Sequence, residues 1–113
     1  EVVSALVEDP SLDTAFAATP DFKNYWRAEG ADIARLSNHD YLPRQVRTPL
    51  YREDTGVALA TRTCVIRTGN RIGERVKIIS HENLGNFVDI HTEFDLWLAN
   101  VLIDMRGLIP NTL

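Results

Sequence analysis

Asp89 and His91 stand two positions apart in the run Phe87-Val88-Asp89-Ile90-His91-Thr92. In an extended chain alternate side chains share a face, so the carboxylate and the imidazole point the same way. A carboxylate at the carboxyl end of a strand is where ligands and metals usually meet an α/β sheet. One Asp and one His are donors for a divalent cation. Carboxylate oxygen suits magnesium, whereas imidazole suits zinc, manganese or iron better. The same spacing is also compatible with a purely structural pair, or with a small metal-dependent hydrolase built on these two side chains.

A second concentration of chemistry lies in the middle of the chain. Between Arg44 and Lys77 there are eight basic residues, seven of them arginine, and three acidic ones, Glu53, Asp54 and Glu74. The segment is therefore +5 (8 − 3), and the rest of the chain must carry −9 to give the formal net charge of −4. Arginine is the better fork for carboxylate and phosphate because its donors are planar and bidentate. A local anion site is one reading of this segment; a solvated basic stretch that pairs with acidic flanks is the other.

Other chemistries find no support in the residue pattern. There is no Cys-x-x-Cys, His-Glu-x-x-His, Gly-x-Ser-x-Gly or phosphate-binding glycine loop. His39 and His81 stand alone and are expected at the surface. Cys64 is the single cysteine and has no nearby cue for activation, so it is expected to be buried and inert. One thiol cannot form an internal disulfide, which gives no reason to expect secretion. The acidic net charge argues against a general nucleic-acid binder, and no apolar run approaches the roughly 20 residues of a membrane span. A cytoplasmic protein is expected.

The elements that must position these residues are consistent with one domain. The chain has 113 residues, 44% hydrophobic and 25% charged, an ordinary globular mixture. It opens on Glu1 and runs straight into Val2-Val3-Ser4-Ala5-Leu6-Val7, which reads as a buried strand and as the interior of something longer. From Leu12 to Trp26 strand and helix cannot be separated. Gly30 to Tyr41 reads as loop with one short helix. Val57–Ala60 suits a strand, Thr63–Ile66 either a strand or a helix, and Thr68–Gly73 a turn. Val76–Ile79 and Phe87–Ile90 read as strands. Phe94, Trp97, Leu98, Val101, Leu102 and Met105 recur at helical spacing, so a final helix is predicted with Trp97 and Met105 in the core. Thr92 and Asp95 give it a capping-box start, and Arg106 and Gly107 its end.

Three ordered blocks carry a family resemblance. Pro43-Arg44-Gln45, then Pro49-Leu50-Tyr51-Arg52, then Phe87-Val88-Asp89-Ile90-His91-Thr92-Glu93-Phe94-Asp95-Leu96 resemble the carboxyl half of the acylneuraminate cytidylyltransferases, the CMP-sialic acid synthetases. The opening Glu1-Val2-Val3-Ser4-Ala5 resembles that family's Ser-Val-Val-Ser-Ala strand. The resemblance implies an α/β fold: the carboxyl-terminal half of a Rossmann-like nucleotidyltransferase sheet with an inserted dimerisation segment. It treats residues 1–113 as one partial domain, with 11–75 as the dimerisation and sugar-acid segment and 76–108 as core strands and final helix.

The resemblance also implies a reaction. The anomeric hydroxyl of a sialic-acid-like sugar acid attacks the α-phosphate of CTP, and pyrophosphate leaves. Arg44, Gln45 and Arg52 would bind the acid, Asp89 and His91 would be the metal-side residues, and Mg2+ or Mn2+ would be the cofactor. The implied partners are the sugar acid, CTP and a second copy of the chain, with no nucleic acid and no membrane. Several positions depart from the family pattern. Its second aspartate is His91 here, its Asn-Gly-Ala-x-Tyr block becomes Asp54-Thr55-Gly56-Val57-Ala58, and its lysine-rich CTP loop does not occur in these residues. The chain by itself is therefore expected to be inactive. The alternative is a non-catalytic oligomerisation or anionic-ligand-binding module derived from the same fold.

Overall fold

Small side chains at the centre of a sheet set the architecture. The computed structural model describes residues 1–37, 42–81 and 88–105. The chain divides into two compact units, Glu1–His81 and Glu82–Leu113.

In the first unit, β1 (Thr14–Asp21) is buried from Thr14 through Thr19. It has neighbours on both edges. On one edge β5 (Leu59–Thr61) pairs antiparallel with its first half and β4 (Leu50–Glu53) with its second half. On the other edge β6 (Val76–Ser80) runs parallel to it, with Thr14 opposite Val76 and Ala18 opposite Ser80. The sheet is thus mixed, and the fold is α/β. A strand covered on both faces shows no polar alternation, which is why Leu12–Trp26 could not be assigned from its pattern. Pro20 fits because backbone direction alternates along β1. Ala17 bonds toward β4 and β5 while Ala18 accepts from His81 on the β6 side. That alternation turns the Pro20 nitrogen toward the β6 side, beyond that strand's last ladder pair, where no N–H is required.

Val2–Glu8 form a helix, α1, and not the expected strand. A short apolar run has no period of its own that separates the two. The helical spacing of Val2, Ala5 and Leu6 gives one inward face, with Ala5 and Leu6 packed on Ala15, while Val3 and Val7 are exposed. Arg62 holds the helix end. Its Nη2 donates to the carbonyls of Leu6 (2.6 Å) and Asp9 (3.1 Å), and its Nε to that of Leu12 (2.6 Å). A cation at a helix carboxyl terminus satisfies orphan carbonyls and complements the helix dipole.

Trp26–Glu29 (β2) and Asp32–Arg35 (β3) form a hairpin, so β3 and the turn before it lie where loop with one short helix was expected. Gly30 adopts φ +60° in its two-residue connection, a conformation that favours glycine. Residues 38–41, including His39, lie outside the described residues. Arg44–Val46 make one turn of 3-10 helix. Strand β5 begins later than expected, at Leu59, because Asp54–Val57 form a turn between β4 and β5. Thr63–Arg67 resolve as a short helix, α2, with Val65 buried and Cys64 exposed, contrary to the buried cysteine expected. So short a helix buries one side chain, and Val65 is the one. The turn at Thr68–Gly73 is present, and a Cβ at Gly73 would collide with the Asp13 side chain.

In the second unit, α3 spans Glu93–Asp104 and starts as predicted. Thr92 Oγ1 accepts the Asp95 N–H (3.2 Å), and Asp95 Oδ2 accepts the Thr92 N–H (2.8 Å). Arg106 and Gly107 lie outside the described residues. The apolar stripe is real but is not core: Phe94 is 65% and Trp97 57% exposed, and Met105 is exposed too. Phe94 and Trp97 instead stack on each other with ring centroids 5.6 Å apart. The expected strand at Phe87–Ile90 is not seen over Val88–Ile90, and Phe87 lies outside the described residues. Among the described residues no helix is long and apolar enough to cross a membrane.

Candidate functional site: an arginine-rich strand end

The carboxyl end of β1 gathers side chains from widely separated parts of the first unit. Arg44, in the 3-10 turn, places its guanidinium carbon 5.1 Å from the centroid of Phe22, which immediately follows β1. That is a cation–π distance. Arg47 fastens the same turn to the same place: its Nη1 donates to the Phe22 carbonyl (3.0 Å) and its Nε to the Leu42 carbonyl. Arg52, in β4, is the ladder partner of Thr19. The structure therefore sets Arg44 against Phe22, just after β1, and Arg52 on β4 opposite Thr19, three positions earlier. Gln45 sits in the same turn as Arg44 and is exposed.

Asp54 is the pivot of this region. Its backbone N–H donates to Ala17 O (2.9 Å), which fixes it beside β1. Its carboxylate accepts the Arg52 Nε–H on Oδ1 (3.0 Å) and the Thr19 hydroxyl on Oδ2 (2.5 Å). His81 Nε2 lies 3.2 Å from the same Oδ2. Burial raises the pKa of this carboxyl. The hydrogen bonds from Thr19 and Arg52, with the charges of Arg52 and His81, more than offset it and hold Asp54 below the usual carboxylate range. Its negative charge is thereby directed toward Arg52 and His81. A neighbouring carboxylate, Asp21, is also held low, chiefly by the Tyr25 hydroxyl and then by the Lys23 N–H.

Sequence reasoning missed His81, Thr19, Phe22 and Arg47. His81 was expected to be an isolated surface residue, yet its side chain is 15% exposed and faces Asp54. The contact crosses from one edge of β1 to the other, between residues 27 positions apart, so no local spacing announces it. The arginine-rich composition of the segment was the available signal for Arg47.

Asp89 and His91 form a separate pair in the second unit. His91 Nε2 lies 2.8 Å from Asp89 Oδ2, and both side chains are largely exposed. They belong to the loop that enters α3, where the His91 N–H also donates to Asp95 Oδ2 (3.0 Å). That bond is the first cause of a lowered Asp95 pKa, followed by the bonds from Thr92. Among the described residues no group of three or more His, Cys, Asp or Glu side chains is placed to share a metal ion. Asp89 offers the single carboxylate with which Mg2+ is often held, the remaining positions going to water and phosphate. His91 fits Mg2+ poorly and Mn2+ better.

What the first unit can do chemically follows from its groups. Planar cationic forks at the end of a central strand, with one apolar ring beneath, suit a carboxylate-bearing ligand. No protein-family model matches the chain, and no curated protein matches it.

Proposed function

We propose that this chain is the sugar-acid-binding, carboxyl-terminal part of a cytidylyltransferase that transfers CMP from CTP to a sialic-acid-like acid. The observation that carries the reading is the placement of Arg44 against Phe22, just after β1, and of Arg52 opposite Thr19, near the end of β1. These arginines lie in two of the blocks that resemble the family. The mixed α/β sheet is compatible with half of a Rossmann-like nucleotidyltransferase.

In this reading Arg44 and Arg52 hold the carboxylate of the sugar acid, and Gln45 offers an amide beside them. Fixing the acid removes the orientational freedom that the attacking hydroxyl would otherwise have, which is a major part of catalysis in phosphoryl transfer. Asp89 would hold Mg2+, or Mn2+ together with His91, and the ion when bound neutralises charge on phosphate oxygens. A second copy of the chain, meeting the first through the 11–75 segment, completes the assembly. A cytoplasmic location, where CTP is available, belongs to the same reading.

The test is thermal stability of the chain with and without N-acetylneuraminate. The acid should raise the melting temperature of the wild type and leave Arg44→Ala unmoved; an equal rise in both excludes Arg44. A parallel incubation with CTP, Mg2+ and the acid should yield no CMP-sugar from the chain alone, and product would contradict this division of labour.

A second reading, a non-catalytic anion-binding or oligomerisation module, is favoured by His91, Asp54 and Ala58, which stand where the family has Asp, Asn and Tyr. Acid binding that CTP and Mg2+ leave unchanged, even when a CTP-binding partner segment is supplied, would select it.

A further inference from the structure

We infer that His81 is a positioning residue that fixes the Arg52 guanidinium by bracing Asp54. The role it would serve, aiming Arg52 at an acid, rests on the function proposed above.

The inference begins with how the two residues are anchored. Asp54 donates its backbone N–H to Ala17 O (2.9 Å) from one edge of β1, and His81 donates its backbone N–H to Ala18 O (3.0 Å) from the other. Consecutive residues of a single buried strand therefore hold both backbones. The side chains meet with 3.2 Å between His81 Nε2 and Asp54 Oδ2, and only 15% and 11% of the two side chains are exposed. Ala17 shares a face with Thr19 and presents only a methyl group, which leaves room for the meeting. The approach is at ion-pair distance without the alignment of a hydrogen bond, so His81 braces Oδ2 by close packing and electrostatics.

Oδ2 is thus contacted by Thr19 on β1 and by His81 just past β6, while Oδ1 takes the Arg52 Nε–H at 3.0 Å. With Oδ2 held twice, the carboxylate cannot rotate without losing a contact. The Arg52 side chain is about half exposed and long, and its direction is set where Nε meets Oδ1. Immobilising such a side chain before a ligand arrives removes an ordering cost from binding.

The experiment uses the 113-residue chain and NMR of the Arg52 Nε–Hε group, with N-acetylneuraminate titrated in parallel. In His81→Leu the Arg52 signal should broaden and exchange faster with solvent, and acid affinity should fall about three- to tenfold. His81→Gln, which keeps a polar side chain of similar reach beside Oδ2, should restore both. A purely structural role would lower the melting temperature without singling out Arg52. If His81→Leu fails to fold, His81→Phe supplies the same readout, since it keeps a ring in the same place and removes its nitrogens. A folded His81→Leu with an unchanged Arg52 signal overturns the inference. Should the wild type bind no acid while the Arg52 signal still responds to His81, the positioning stands and the sugar-acid reading falls.

Discussion

Two Asp–His pairs occur among the described residues, and they differ in almost every respect except composition. Asp89 and His91 are two residues apart, 2.8 Å from each other, and 84% and 75% exposed. Asp54 and His81 are 27 residues apart, 3.2 Å from each other, and 11% and 15% exposed. The shorter contact is the weaker candidate for stability. An exposed pair is screened by water and salt and gives up side-chain entropy to stay together. The inner pair has little water to compete for it and is tied into two further hydrogen bonds, from Thr19 and Arg52. Distance alone does not rank these interactions; environment and the number of supporting partners do.

The largest effect that sharpens this contrast should come from Asp54→Ala. It strips an acceptor from the buried Thr19 hydroxyl and leaves Arg52 and His81 without their shared carboxylate. Unsatisfied polar groups at buried or half-buried positions make the expected loss about 2–3 kcal/mol, read by urea denaturation. A loss no larger than that of an ordinary surface substitution would erase the distinction between the two pairs.

Acid titration should show the next largest effect. The folded-state pKa of Asp54 is depressed, so its stabilisation is complete above the unfolded-state value, about 3.9, and is lost as pH falls through the lower folded value. The melting temperature should therefore decline as pH drops below about 4. Asp54→Asn should flatten part of that decline, because no proton is then taken up at this position. A variant curve parallel to the wild type would assign the acid sensitivity elsewhere, for example to Asp21.

Thr92→Ala should cost less, about 1 kcal/mol of α3 stability, through the lost N-cap. Far-ultraviolet circular dichroism would report it as reduced helicity. The smallest effect belongs to the outer pair: His91→Ala should change stability by no more than about 0.5 kcal/mol. A substantially larger loss would mean that the exposed pair does more than its surroundings suggest.

The same contrast explains what the residue pattern made legible. Helix α3 and its cap were readable because every signal for them is local: a 3.6-residue apolar period and Thr92 three residues before Asp95. Its stripe did not become core, since apolar spacing specifies a face and not the layer that covers it. The Asp89–His91 contact was readable for the same local reason. Helix α1 was mistaken for a strand because Val2–Val7 is short and apolar but for Ser4, and β1 was ambiguous because Thr14–Thr19 is buried on both faces. His81 was invisible because its partner comes from the opposite edge of the sheet. Arg44 and Arg52 were found through their type and the family-like blocks, whereas Arg47, whose bond to Phe22 O holds the Arg44 turn in place, carries no such mark.

The claim on which the functional account turns is that the arginines at the end of β1 hold a negatively charged sugar. Calorimetric titration with N-acetylneuraminate and with its methyl ester, which keeps the sugar and removes the charge, tests it most directly. The account predicts saturable binding of the acid to the wild type, no detectable binding of the ester, and loss of the acid signal in Arg44→Ala and Arg52→Ala. Equal binding of acid and ester, or no binding of the acid, would contradict it.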